Sequence, residues 1–442
     1  MPSIVKRMPS RAGVTGMDVA VVDQPQNRNK TGIKIAVAIF FDGTGNNRSN
    51  TNSRVNSQQA GQAKKWSGSY SNWHSNVSLL EHFNRKREPA RREVSIYVEG
   101  IGTTNMKGDD WEGLGLGQGF TGIVMKVQRG VNMIREYIAW IVAREEEVFV
   151  EEIEFDVFGF SRGAAAARYF ISRHTYAPSM LATNLGTPQA RMVFKFVGLF
   201  DTVASDGVIH TNDVKDLNLR LGSHAKKVVQ LQAGDEYRTN FSLTNIASTI
   251  GSGGYQLTMP GVHSDIGGGY EVEGEVRELL SKSEAWYLEQ EGWYRHEEIV
   301  ETQVPLPTYG GYGGYIGMPV MVPKYTGTRA SVGNSYQYIP LDVMRSCAIE
   351  HGMSMHSVEE ELYHYYRPVA ALEPLHARIM QAVGQHGRAG DNTITLSGLG
   401  MGPTDVFMVR NQHLHRSADE TSFGMGGRYK NGYMPNRRTF EG

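Results

Sequence analysis

The sequence predicts an α/β fold with a mostly parallel central sheet, helices on both faces and a less regular C-terminal part. Two observations predict it. Strand-like and helix-like segments alternate between Ile33 and Tyr270, the order that builds parallel sheets through helical crossovers. The strands themselves are near-continuous apolar runs, as in strands covered on both faces.

Ile33 to Phe41 is the first such run, and it ends in the Gly/Asn loop Asp42-Gly43-Thr44-Gly45-Asn46-Asn47. A polar stretch to about Lys65 follows, then a strand over Val94–Val98 and a Gly-rich loop from Lys107 to Gly122. Val124, Val127, Val131, Ile134, Ile138 and Ile141 recur at three- and four-residue steps, which puts them on one helix face. Ile153–Phe158 reads as a strand, Gly159-Phe160-Ser161-Arg162-Gly163 as a turn, and the Ala-rich run from Ala164 as a helix. Met192–Phe200 and Tyr255–Met259 are further strands. Beyond Tyr270 the pattern loosens to helical patches at Val276–Trp293, Pro340–Glu350 and Ala370–Val383, with a Gly/Tyr-rich loop from Pro307 to Gly317. No internal repeat is visible. The expected organisation is a flexible leader over 1–31, a core over 32–272 and an extension over 273–442 that completes the core.

The 442 residues carry 45 Lys+Arg against 46 Asp+Glu, a net charge of −1, so no nucleic-acid partner is expected. The basic cluster at Asn84–Arg87 reads as a solvated face. Cys347 is the only cysteine, which rules out an intrachain disulfide and suits synthesis in a reducing cytoplasm. No apolar run is long enough to span a membrane. Met1–Thr31 is basic without an apolar h-region, so no secretory signal is expected.

Chemistry concentrates in one constellation. Gly159-Phe160-Ser161-Arg162-Gly163 is a G-x-S-x-G pattern between a predicted strand and a predicted helix, the context of a nucleophile elbow in an α/β-hydrolase fold. A serine hydroxyl needs a base to take its proton, and the base needs an orienting acid. Asp201 and His263 follow Ser161 in the chain order of that fold. Asp206 and Asp265 are rivals for the acid, and Asp265 is better suited to shaping the histidine loop. The oxyanion needs two backbone N–H donors. One is expected from Arg162 and the other from Gly43 or Thr44, where glycine lets the backbone approach a substrate. No cofactor or metal is expected. A cation site at Asp42 and Asp265 is a competing reading that no dense ligand spacing supports. A phosphatase loop of the D-x-D-G-T type is disfavoured because Phe40, which cannot form an aspartyl-phosphate, stands where its nucleophilic aspartate is needed.

Taken together, Phe41–Asn47, Gly159–Ala164, Gly198–Val203 and Gly261–Tyr270 resemble the signature blocks of the first family of bacterial type VI secretion lipase effectors, the Tle phospholipases. They also resemble a related α/β-hydrolase-like domain family of uncharacterised proteins. Tyr97–Thr103, Ile339–Met344 and Leu414–Ala418 look like weaker blocks, so the resemblance spans roughly residues 33 to 430. It implies an antibacterial phospholipase A-type toxin. Its nucleophile, acid and base blocks fall on Ser161, Asp201 and His263. It further implies delivery on a needle-tip or tube carrier without a signal peptide, action on the phospholipid membrane of a target cell from its periplasm, and a cognate immunity protein. Two alternatives stand beside it: a small-substrate carboxylesterase with the same triad, and a non-catalytic hydrolase-like binding module. The loop Tyr309–Met318, aromatic and Gly-rich, is a candidate lid that meets the membrane interface.

Overall fold

The computed structural model describes residues 29–59, 66–110, 121–176, 178–204, 217–305, 321–360, 363–418 and 425–442. Most of the expected leader, the candidate lid at Tyr309–Met318 and the rival acid Asp206 lie outside the described residues.

Seven strands form the main sheet, and every pairing in it is parallel. In chain order they are β1 (Thr31–Phe41), β2 (Glu93–Val98), β3 (Val148–Phe160), β4 (Arg191–Phe200), β5 (Ala225–Ala233), then, after the two-residue β6 (Leu243–Thr244), β7 (Gly254–Met259) and β11 (Gly390–Thr393). In space they run β11-β7-β5-β4-β3-β1-β2. The chain steps from β1 out to β2 and returns to β3 on the other side, so the direction of winding reverses between β1 and β3. Ligand crevices of open parallel sheets lie at the carboxyl end of such a reversal.

Strand alternation divides the core into two layers. Ala38 and Phe40 face one side, where Phe40 stacks on Phe158 at 4.8 Å. That side is covered by α2 (Asn76–Phe83), after α1 (Arg48–Gln59), and by residues of the C-terminal part such as Ile339, Leu341 and Met344. Val37, Ile39 and Phe41 face the other side, covered by α3 (Ile123–Arg144) and α4 (Arg162–Tyr176), which is followed by α5 (Pro178–Asn184). The expected fold class is therefore observed.

Two local expectations are corrected, and one strand is added. On α3 the buried face is Ile123, Val127, Val131, Ile134, Ile138 and Ile141, and Val124 is 42% exposed. Ile123 lies one turn before Val127 and takes the place expected for Val124. Val276–Trp293 is not one helix: β8 (Glu273–Leu280) occupies its first half and α7 (Lys282–Gln290) its second, with Ser281 capping the Glu284 N–H, after the short helix α6 (His263–Gly267). Strand β5 was not anticipated, although it is an interior strand of the sheet.

The remaining strands are β9 (Ile299–Pro305) and β10 (Met321–Gly333), which form an antiparallel sheet with β8, and the two-residue strands β12 (Tyr429–Lys430), β13 (Met434–Pro435) and β14 (Thr439–Phe440). The helices α8 (Tyr338–Glu350), α9 (Glu373–Gln385) and α10 (Pro403–His413) complete the chain. Residues after 272 thus supply both an edge strand of the main sheet and part of its covering layer. Among the described residues, no helix is long and apolar enough to cross a membrane.

The observed face of α3 gives a direct test. Ile134→Ala should destabilise the protein by about 2–5 kcal/mol, because it leaves a cavity in the core layer under α3, whereas Val124→Ala should cost under about 0.5 kcal/mol. Urea unfolding of the two variants checks this, and equal losses would contradict the assigned face.

Candidate active site

The carboxyl ends of β1, β3 and β4 carry Asp42, Ser161 and Asp201 respectively. Because Phe160 of β3 pairs with Phe200 of β4, Ser161 and Asp201 leave the sheet side by side. The Ser161 N–H donates to the Phe200 carbonyl at 3.0 Å, and the Ser161 carbonyl accepts from Ala164 N at 3.0 Å and Val203 N at 3.3 Å. These bonds hold Ser161 at φ 57°, a left-handed conformation that is costly for a side-chain-bearing residue.

The flanking glycines make this turn sterically feasible. A Cβ on Gly163 would stand 2.2 Å from the Asp42 carbonyl oxygen, and one on Gly159 would stand 2.4 Å from the Gly163 carbonyl oxygen. Both clashes are with backbone, which has no rotamer by which to yield. The G-x-S-x-G spacing therefore lets α4 start directly against the ends of β1 and β3.

Asp201 is fully buried and also takes a positive φ, of 43°. Its Oδ1 accepts from Ala233 N at 2.9 Å, and its Oδ2 lies 2.5 Å from His263 Nδ1. Arg437 adds a two-pronged contact, Nη1 to Oδ1 at 2.7 Å and Nη2 to Oδ2 at 2.8 Å. Burial alone would push the Asp201 carboxyl up, but the Arg437 charge and the His263 contact outweigh it and hold the group at about 2. Asp201 is thus ionised throughout the neutral range.

His263 opens α6, and its N–H donates to Glu236 Oε2 at 3.2 Å. The ring is walled by Phe160, with centroids 4.6 Å apart, and by Phe241 at 5.0 Å. With Nδ1 turned to an ionised carboxylate, that nitrogen carries the proton and Nε2 is left as the basic atom. Burial, the largest influence, lowers the His263 pKa against the opposing pull of Asp201, and the net direction is down. Glu236 is itself clamped by Arg238, with Nε to Oε1 at 3.0 Å and Nη2 to Oε2 at 2.8 Å.

Asp265 stands apart from this pair. Its Oδ2 accepts from Val262 N and His415 N, each at 3.0 Å, and its Oδ1 lies 2.7 Å from His415 Nδ1. It fastens the histidine loop to the segment around Leu414–Arg416, much as its position in the sequence suggested.

The loop after β1 is built around buried Asp42, which accepts from Ser75 Oγ and Tyr97 Oη, both at 2.5 Å, and from Gly43 N at 2.7 Å. Burial raises its pKa against those hydrogen bonds. The Gly43 N–H is therefore committed to the neighbouring carboxylate, which counts against Gly43 as an oxyanion donor and favours Thr44. Thr44 touches the elbow itself, since its Oγ1 accepts from Arg162 Nε at 2.8 Å. Asp42 and Asp265 have separate sets of partners, and among the described residues no cluster of three or more His, Cys, Asp or Glu side chains could hold a metal ion.

Sequence reasoning missed Glu236, Arg238, Phe241 and Arg437. The first three follow β5, and their approach to the site was legible only if that strand had been recognised. Arg437 lies 236 residues from Asp201, within Asn436-Arg437-Arg438, and carries no local signal.

A known family and known proteins bear comparison with the chain. Residues 174–290 match the family described as "T6SS, Phospholipase effector Tle1-like, catalytic domain". That span contains Asp201 and His263. The family resemblance read from the motifs is borne out over this span, as a match to the model of that effector family. A solved Tle1 effector bound to the VgrG spike of the type VI secretion system is similar in fold, with TM-score 0.57 and 22% identity over 96% of this chain and 98% of that one. An uncharacterised protein from Pseudomonas aeruginosa aligns with TM-score 0.43 and 19% identity, covering 81% of this chain and 52% of that one. No curated protein matches the chain.

The lowered pKa of His263 carries an expectation for the pH profile. With His263 as the expected base, a lowered pKa keeps the ring neutral to lower pH, so turnover should then rise with pH and reach half its plateau below the ordinary histidine value of 6.5. The kcat/KM profile on a soluble ester measures this midpoint, and a value above 7 would contradict a buried, neutral His263 as the base.

Proposed function

We propose that this chain is a serine-dependent phospholipase of type A, delivered through the type VI secretion system to the membrane of a recipient cell. The observation that carries the chemistry is the 2.5 Å contact between His263 Nδ1 and an ionised Asp201, next to a strained Ser161 on the adjoining strand end. The Tle1-like family match supports the lipid substrate, and the Tle1 effector solved on a VgrG spike supports a spike protein as carrier. Recognition by an immunity protein in the producing cell and action from the recipient's periplasm belong to the same reading.

In this mechanism Ser161 Oγ attacks the acyl carbonyl carbon of a glycerophospholipid as its proton passes to His263 Nε2. The Asp201 carboxylate stabilises the imidazolium and fixes its orientation. The backbone N–H groups of Arg162 and Thr44 hold the oxyanion, an interaction that strengthens as charge develops. Collapse breaks the ester C–O bond, and the imidazolium returns its proton to the departing lysophospholipid oxygen. A water then attacks the acyl-Ser161 carbonyl, again giving its proton to His263. Loss of the Ser161 oxygen, with that proton returned to it, releases the fatty acid. The leading alternative, a small-substrate esterase, shares all of these steps and differs only in what binds.

Ser161→Ala and His263→Ala should each lower kcat by about three to six orders of magnitude without unfolding the protein, and the double variant should lose little more. Mass spectrometry of products from mixed phospholipid vesicles reads both activity and substrate. Fatty acid and lysolipid are expected from wild-type protein. Brisk turnover of a short ester with no release from any phospholipid would leave the esterase standing. A Ser161→Ala protein with more than about a tenth of the wild-type rate would remove Ser161 as nucleophile.

A further inference from the structure

Arg437 is brought to Asp201 by the last described segment of the chain. The Arg438 carbonyl accepts from Leu243 N at 2.9 Å, the Phe440 carbonyl accepts from Asn245 N at 3.0 Å, and β14 pairs in parallel with β6. These backbone bonds anchor the segment beside the loop that follows β5. From there the Arg437 side chain, 9% exposed, reaches inward. Its Nε donates to the Phe241 carbonyl at 2.7 Å, and its two terminal nitrogens grip both oxygens of Asp201 at 2.7 and 2.8 Å. Phe241 is also the residue whose ring packs edge-on against His263. One guanidinium thus ties together the acid of the pair and a wall of the base.

We infer that Arg437 is a positioning residue of the active site, which locks Asp201 in the rotation that presents Oδ2 to His263 and takes a share of its negative charge. The inference rests on the proposed roles of Asp201 and His263. Two consequences follow from the geometry. The fork engages both carboxylate oxygens, so rotation about the Asp201 side chain would break two charge-assisted bonds at once. The carboxylate that steadies the His263 imidazolium is also neutralised by a fixed cation, so the imidazolium gains less than it would beside an undivided carboxylate. Among the described residues, the charged groups that face His263 are Asp201 from the end of β4, Glu236 and Arg238 from the segment after β5, and Arg437 through Asp201. Glu236 and Arg238 are paired with each other. Arg437 is the one of these groups whose removal leaves the Asp201 charge wholly to the histidine.

The test uses the full chain and a soluble short-chain ester. Arg437→Gln should keep KM within about twofold, lower kcat about 10- to 100-fold, and move the acid limb of the kcat/KM profile up by at least about half a pH unit. Arg437→Lys restores the charge without the fork, and should return the limb to the wild-type position while kcat stays about 3- to 10-fold down. A purely structural role would instead reduce the folded fraction by circular dichroism and leave the limb in place. A folded Arg437→Gln with an unmoved limb overturns the inference. If that variant does not fold, Arg437→Lys decides: wild-type kcat overturns the inference, and a kcat loss at constant KM supports it. Asp201→Asn in parallel separates the two levels. Near wild-type turnover of Asp201→Asn would remove the acid assignment and the role of Arg437 with it. An inactive, folded Asp201→Asn beside a wild-type-like Arg437→Gln would remove the role of Arg437 alone.

Discussion

A carboxylate with none of its surface in water governs this site. Taking an ion of that kind out of water costs about several kcal/mol even after the protein relaxes, unless charges and hydrogen bonds replace the solvent. Around Asp201 the replacements arrive from three separate parts of the chain: the amide of Ala233 at the end of β5, the imidazole of His263 and the guanidinium of Arg437. Each needs its own scaffold. The parallel pairing of β4 with β5 sets the amide. Asp265, bonded to Val262 and His415, sets the loop that bears the histidine. The β14–β6 pairing sets the arginine. Much of the architecture at this end of the sheet meets the demand of one buried charge.

The serine side of the site obeys a second constraint, that of backbone approach. Helix α4 begins so close to the ends of β1 and β3 that positions 159 and 163 tolerate no side chain. That closeness also brings Arg162 against Thr44, which ties the elbow to the loop after β1. Buried Asp42, holding Ser75, Tyr97 and Gly43, braces that loop from below. The result is strained backbone at Ser161 and at Asp201 on neighbouring strands, beside the point where the sheet reverses its winding.

What could be read from the sequence follows from how local each signal is. The apolar runs of β1, β3, β4 and β7 and the glycines around Ser161 are local, and they disclosed the parallel sheet and the elbow. The chain order of Ser161, Asp201 and His263 added the candidate triad. Strand β5 stayed hidden because its Lys-Lys start and alternating glutamines break the apolar pattern. The fold nevertheless buries Gln230, which donates to the Thr244 carbonyl and accepts from Thr202. The Val276–Trp293 stretch misled in the opposite way, since a strand followed directly by a capped helix mimics one longer helix. Arg437 could not be found by pattern at all. An arginine in a polar Asn-Arg-Arg stretch looks like any surface charge until the fold brings it to Asp201.

The proposed chemistry rests on a covalent step at one atom, Ser161 Oγ. Intact-protein and peptide mass spectrometry after exposure to a lipid-like phosphonate ester, which traps an activated serine, tests it most directly. The expected result is a single adduct on the peptide that contains Ser161, formed by wild-type protein and lost in His263→Ala. An adduct on a different residue, or a protein that hydrolyses phospholipid while Ser161 stays unmodified, would contradict it.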